Sequence, residues 1–486
     1  MKSQGLTTSI ARAAAMVIAS LALGFAWLGW HARADQPSEQ ESISKAAKHD
    51  EPQLALSRCN ECHASTVEGT PAWQHSSLVW FDRDPHAQAY TKLLNAQSQR
   101  IVDRLMGTPM AVDTPEYRQV LRDRCVSCHA NEQASDPQIK LGVECQVCHG
   151  PASAWGEEHY SQATLALGSQ RFANSQRVNL ESMEQRARVC SACHVGQLNR
   201  GPGLQDREVD HRLMAAGHPM MYFDFENYLE RYPKHWDVVA EEARLGAFPA
   251  YSRWQLGKWI TAQVRLVMLR DRATRVESTL TAGASTGRDW PEFTEYSCTS
   301  CHYPLLSESW RQRVRSSKST TWDEWYLERV EQLFSRTTDD RITQSWHTAS
   351  SALRSNMENR RPDPSAAKTH AQSMIDLCQM AIDAPAPPDA KRIREQLRQL
   401  LDEESKVTSW EQGAQWVTTA RMLSHSLGWE QPDSPIEGSP PGGFFRPPRP
   451  WDPIATSPAF QGADWFRPDA LRKYRESLQQ RLGTQP

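Results

Sequence analysis

Apolar residues in this chain recur mostly at the three-and-four spacing of helices, and almost no stretch alternates as a half-buried strand would. The strongest periodic run is Ser252 to about Val276. There Trp254, Leu256, Trp259, Ile260, Val264, Leu266, Val267 and Met268 stand among lysines and arginines, which predicts one long helix. Shorter helices are predicted at Pro85–Leu94, Thr321–Phe334 and Ser345–Met357. At the first of these, Asp84 can cap the N-terminus and Pro85 suits the opening helical position. After about residue 361, Pro362–Pro364 and Pro385–Pro388 bracket a helical stretch holding Cys378. Helices follow at Ala390–Glu404, Trp410–Leu427 and Pro468–Leu482. The passage from Pro440 to Pro458 is too rich in proline and glycine for a regular element and reads as an extended strap. The expected fold class is mainly α, with short helices, long loops and very little β.

The N-terminus has a different pattern. Lys2 and Arg12 precede an apolar run from about Ala13 to Trp30, and Ala32-Arg33-Ala34 offers a small-x-small cleavage site. This is the layout of a secretory signal peptide over residues 1–34, with a polar leader over 35–58. An uncleaved inner-membrane anchor is the alternative, since the run approaches the length that spans a bilayer. Export places the mature protein in the periplasm. Losing Lys2, Arg12 and Arg33 takes the formal charge from -3 to -6. An acidic chain argues against nucleic acid and favours a partner with a basic docking face.

Ten of the eleven cysteines then fix the chemistry. They form five Cys-x-x-Cys-His units: Cys59/Cys62/His63, Cys125/Cys128/His129, Cys145/Cys148/His149, Cys190/Cys193/His194 and Cys298/Cys301/His302. Each reads as an attachment site for haem c. The two thiols bond to the porphyrin vinyl groups, and the adjacent histidine becomes the proximal iron ligand. Structural zinc needs closed four-ligand sets and leaves the recurrent histidine unexplained. A thioredoxin-like site wants one such motif, not five. The cofactor expected is therefore five covalent haem c groups with their iron. Short helices and loops would wrap around that haem chain over residues 59–360, followed by a haem-free helical extension over 361–486. The second and third motifs start only 20 residues apart, with a loop at Asn131–Pro137 between them, so their haems should lie close together. Cys378, the eleventh cysteine, reads as a buried space-filling thiol.

The sixth position of each iron decides function. A second histidine saturates the metal and suits it to electron transfer, whereas an open face permits substrate chemistry. Four histidines outside the motifs stand out as distal ligands. His86 lies at a helix start beside small residues, and His159 closely follows the third motif. His218 sits in Ala216-Gly217-His218-Pro219, and His347 opens a helix. For a fifth ligand, His211, His75 and His235 compete, with Met106, Met110, Met214 and Met220 as thioether alternatives. A haem without a distal protein ligand is the remaining option.

Three passages carry a family resemblance: Gly142-Val143-Glu144-Cys145-Gln146-Val147-Cys148-His149-Gly150-Pro151, His211-Arg212-Leu213-Met214-Ala215-Ala216-Gly217-His218-Pro219 and Tyr296-Ser297-Cys298-Thr299-Ser300-Cys301-His302. Over about residues 55–360 the chain resembles multihaem cytochromes of the tetrahaem c-554 type, the electron acceptor of hydroxylamine oxidoreductase. The resemblance implies a largely helical haem domain with alternating stacked and perpendicular haem pairs. It also implies distal histidines drawn from remote segments, His218 and His159 among them, and electron transfer as the usual role. One member type of that family keeps a five-coordinate haem. This chain departs from the pattern by its fifth motif and its long tail.

Electron transfer between a donor and an acceptor protein is the function the sequence favours, with a membrane-bound or outer-membrane assembly as one setting for the partners. The rival is an oxidoreductase acting on a small nitrogen or sulfur compound at one open haem. Pentahaem nitrite reductase is a weak match, because it uses a lysine as proximal ligand in one motif and all five motifs here end in histidine. Tyr222, Tyr232 and Tyr296 show no sign of a cross-linking role. A structural subunit that docks through its tail is a third class, compatible with the first.

Overall fold

A computed structural model describes residues 56–133, 139–156, 158–173, 175–282, 290–297, 321–323, 325–334, 340–385, 387–402, 407, 410–429 and 468–484. The expected signal peptide, nearly all of the polar leader, the fifth motif, part of the 131–137 loop and the Pro440–Pro458 strap lie outside these residues. The longer helices are α1 (Ala96–Met106), α2 (Met183–His194), α3 (Pro249–Thr281) and α4 (Asp340–Met357). After them come α5 (Pro364–Asp383), α6 (Ala390–Asp402), α7 (Trp410–Ser426) and α8 (Pro468–Thr484). Among the described residues β pairing is confined to two isolated bridges, Gln197 with Arg207 and Tyr296 with Trp322. The fold is mainly α.

The predicted long helix exists and extends beyond both expected ends. Pro249 occupies its first turn, and its 33 residues span about 50 Å at the α-helical rise. Its middle is buried on nearly every side: Trp259, Ile260, Ala262, Val264 and Leu266 are all fully covered. A helix apolar all round needs neighbours all round. It has them in α2, α5, α7 and the short helix Phe225–Arg231. Gly257 lets that short helix approach, because a Cβ there would stand 2.7 Å from the Cβ of Phe225. Lys258 and Gln263 on this buried stretch are paired, as burial demands. Lys258 Nζ meets Asp224 at 2.9 Å and donates to Gln415 Oε1 at 2.6 Å. Gln263 bonds both Arg188 and Gln379.

Helices α5 to α8 join the same hydrophobic core. It runs from Met183 through α3 to Trp416, Leu423 and Leu478 without interruption. Cys378 is fully buried within it.

One expected helix begins later than its periodicity suggested. Only Glu328–Phe334 of the Thr321–Phe334 stretch is helical. Trp322 is drawn instead into the bridge with Tyr296, and Asp323 takes a left-handed φ of 44° that no helix accommodates. These residues flank the fifth attachment motif. Ser297 N donates to Thr321 O at 3.0 Å and Asp323 N to Glu295 O at 2.9 Å. Two arginines of α3 tie the flanks down: Arg265 pairs with Asp323 at 3.2 Å, and Arg272 contacts both Glu295 and Glu208.

Candidate haem sites

Each of the four described attachment motifs ends a helix or forms a single helical turn. The first closes Leu56–His63, the second forms Val126–His129, the third is Cys145–His149 and the fourth closes α2. Helical spacing puts the two thiols and the histidine of each unit on one face, so all three can address one porphyrin. None of the nine described cysteines is paired in a disulfide. No set of three or more His, Cys, Asp or Glu side chains converges among the described residues, as a closed zinc site would require.

Cys62 departs from the other attachment thiols, although the sequence gives all of them the same role. It is exposed, whereas Cys59, Cys125, Cys128, Cys145, Cys148, Cys190 and Cys193 are half-buried. The cause is the position of its helix. Leu56–His63 packs chiefly on the neighbouring turns Ala72–His75 and Ser76–Arg83, away from the main core, so the polypeptide leaves this side chain open to solvent. Among the described motifs the first is therefore the most open, and its second thiol is not enclosed by protein as the others are.

The histidines pair. His63 faces His159 with ring centroids 6.2 Å apart, and His129 faces His218 at 6.5 Å. His149 faces His235 at 6.4 Å, and His194 faces His86 at 6.0 Å. Each of these motif histidines thus meets one histidine from outside its own motif. Imidazole nitrogens bind first-row metals at about 2 Å, which would hold two rings on opposite sides of one iron with centroids roughly 6.4 Å apart. All four separations fit that requirement.

Hydrogen bonding orients six of these eight rings. Nδ1 donates to the carbonyl of Trp73 from His63 (2.8 Å), of Ala89 from His129 (3.2 Å) and of Gly156 from His159 (2.7 Å). It donates to Pro219 from His218 (2.8 Å), to Pro233 from His235 (3.4 Å) and to Asp84 Oδ1 from His86 (2.8 Å). A carbonyl only accepts, so Nδ1 carries the hydrogen and Nε2 keeps the lone pair a metal needs. Burial pushes His149 and His194 down to about 3 and His218 to about 4, which keeps these rings neutral and ligand-competent.

The loop before the third motif secures His86. Gly142 adopts φ +75°, and a Cβ there would come within 2.6 Å of the His86 carbonyl oxygen. That carbonyl accepts from Val143 N at 3.1 Å. Glu144 caps the third motif through Gln146 N and also accepts from Asn131 Nδ2 at 2.6 Å, which links the second and third motifs. The thiols show a further order. Cys128 lies beside Cys193, Cys59 lies near Cys145, and Cys148 lies near Cys190 and Cys193. The attachment points therefore neighbour one another in the order first, third, fourth, second.

Other sequence candidates fall elsewhere. His75 has local partners, Nδ1 with Ser65 O at 2.6 Å and Nε2 with Thr70 Oγ1 at 2.7 Å, and meets no motif histidine among the described residues. His211 opens the helix His211–Ala216 and sets its ring edge against Phe293 at 5.7 Å. His347 is half-buried on α4, beside the fully buried Trp346. Cys298, Cys301 and His302 lie outside the described residues. Met106 is half exposed, as a surface residue. His235, ranked only as a competitor on sequence, is the ring that meets His149. Its signal was Pro233, whose carbonyl holds the imidazole from two residues away.

No helix among the described residues is long and apolar enough to cross a membrane. No curated protein and no solved structure matches the chain. Residues 58–150 match the family described as cytochrome c554 and c-prime, a stretch that contains the first three attachment motifs. The match supports a multihaem c-type cytochrome of electron transfer, with covalently held haem c and its iron.

Proposed function

We propose that this chain is a periplasmic pentahaem cytochrome c that relays electrons between a donor and an acceptor protein. The observation that carries the reading is the set of four histidine pairs at iron-spanning separation. His63 and His159, His129 and His218, His149 and His235, and His194 and His86 would each hold one iron from both sides. Bound haem c supplies a one-electron iron couple at each position. The protein's part is to fix the rings, exclude exogenous ligands from the iron and set the potentials. Electrons would pass along the order first, third, fourth, second that the neighbouring thiols define. The fifth motif's haem takes its distal ligand from His347 or His211, both of which stand on segments outside the four pairs. Substrate chemistry on a small nitrogen or sulfur compound would require that fifth haem to lack such a ligand.

Electron paramagnetic resonance of the oxidised protein tests this reading haem by haem. Perpendicular ligand planes leave two iron d orbitals nearly degenerate and give a highly anisotropic low-spin signal; parallel planes split them and give a rhombic one. The ring planes cross at 80° for His194/His86 and 88° for His129/His218, at 55° for His149/His235 and at 17° for His63/His159. Two highly anisotropic signals and one rhombic signal are therefore expected, with a fourth between them. Several high-spin haems that bind cyanide would refute the relay and favour an enzyme.

A further inference from the structure

The distal rings differ in what holds their Nδ1. His159, His218 and His235 each donate to a neutral backbone carbonyl. His86 alone among them donates to a charge. Asp84 is buried, 5% exposed, and its Oδ1 accepts from both the ring Nδ1 (2.8 Å) and the amide (2.9 Å) of His86. Its Oδ2 accepts from the Tyr232 hydroxyl at 2.6 Å. No lysine or arginine pairs with Asp84 among the described residues, so the carboxylate charge stays uncancelled. Opposite His86, the His194 ring packs on Phe223 at 5.0 Å and Tyr228 at 5.1 Å, and its buried Nδ1 has no hydrogen-bond partner.

We propose that Asp84 is a positioning residue that lowers the reduction potential of the haem held between His194 and His86, and that Tyr232 limits the size of that effect. The inference rests on the axial pairing proposed above. A carboxylate that draws on the Nδ1 hydrogen makes Nε2 a stronger donor, and a stronger donor favours ferric iron. A buried negative charge close to the metal acts in the same direction. The Tyr232 hydroxyl shares that charge and weakens its pull on His86. Lys92 stands near enough to His86 to oppose this charge in part, while Arg207 and Arg200, on the Cys193 side, both face Glu132, which offsets them in part. The unpartnered His194 supplies no comparable push, so the asymmetry of this iron rests on the distal side.

Potentiometric titration of the holoprotein, followed by optical and paramagnetic resonance spectra, distinguishes the outcomes. In Asp84→Asn one midpoint is expected to rise while the other haems hold theirs. In Tyr232→Phe the same midpoint is expected to fall, because the carboxylate is left to His86 alone. The double variant should behave as Asp84→Asn, since Tyr232 acts through Asp84. Tyr232→Phe keeps the carboxylate and carries the test if Asp84→Asn does not mature. Unmoved midpoints in variants that retain every haem in the low-spin state would overturn the inference and leave the axial pairing standing. Shifts of the same sign in both single variants would overturn it too. His86→Ala separates the two levels: a new high-spin haem supports the pairing, and its absence removes both pairing and inference.

Discussion

The His235→Ala protein is expected to convert one low-spin haem into a high-spin ferric haem that binds one equivalent of cyanide, with the remaining haems unchanged. His235 faces His149 at 6.4 Å and is boxed by Trp236 at 5.3 Å and Tyr232 at 5.9 Å. Truncation removes the ring while the covalent thioether bonds and His149 hold the cofactor in place. His149 stays neutral because burial keeps its titration far below neutral pH, so the proximal bond survives. Losing a strong nitrogen donor should also raise that haem's potential. The readouts are the high-spin resonance, the cyanide stoichiometry and the count of covalent haems. A His235→Ala protein that stays wholly low-spin with its full haem complement would show that another residue holds that iron.

Arg272→Ala is expected to cost about 3–5 kcal/mol of stability, the loss typical when one partner is removed from a buried charge cluster. Arg272 lies in the buried centre of the fold and contacts both Glu295 and Glu208. Glu295 also accepts from Trp322 Nε1 at 3.2 Å. Without the guanidinium, buried Glu295 and half-buried Glu208 lose their shared partner, and of the two arginines that tie the flanks of the fifth motif to α3 only Arg265 remains. The triple variant Arg272→Met, Glu295→Gln, Glu208→Gln should recover much of that loss, since no bare charge then remains buried. Chemical denaturation of the holoproteins, compared at equal haem content, gives both values. Wild-type stability in Arg272→Ala would mean that water reaches the cluster.

Much of the helical structure and the attachment motifs themselves were legible in the sequence. The long helix was legible because tryptophans and aliphatics recur at helical spacing from Trp254 to Met268. Its covering on every side was not, because that depends on helices from residues 183–194, 364–383 and 410–426. The motif histidines were legible because the chemistry demands them beside the thiols. His86, His159 and His218 stood out through neighbouring glycine, proline or small residues. The pairing of particular rings could not be read locally, since it is made by tertiary contacts between distant segments. The open setting of Cys62 was equally hidden, because the motif is the same five-residue pattern wherever its helix lies in the fold. The local contacts of His75 with Ser65 and Thr70 were hidden too, since they depend on how the chain turns after the first motif. Thr321 misled because the demand of a β-bridge outweighed local helical preference.

The crossed wiring of the rings has a consequence for how the molecule is made. His86 is synthesised long before the motif it faces, and His63 must wait for His159. Each distal bond of the proposed pairing would therefore close a large loop, an arrangement that slows assembly and leaves nascent irons exposed to whichever imidazole arrives first. Refolding from denaturant at neutral pH should accordingly stall in misligated traps. Protonating free imidazoles in mildly acidic buffer should release those traps.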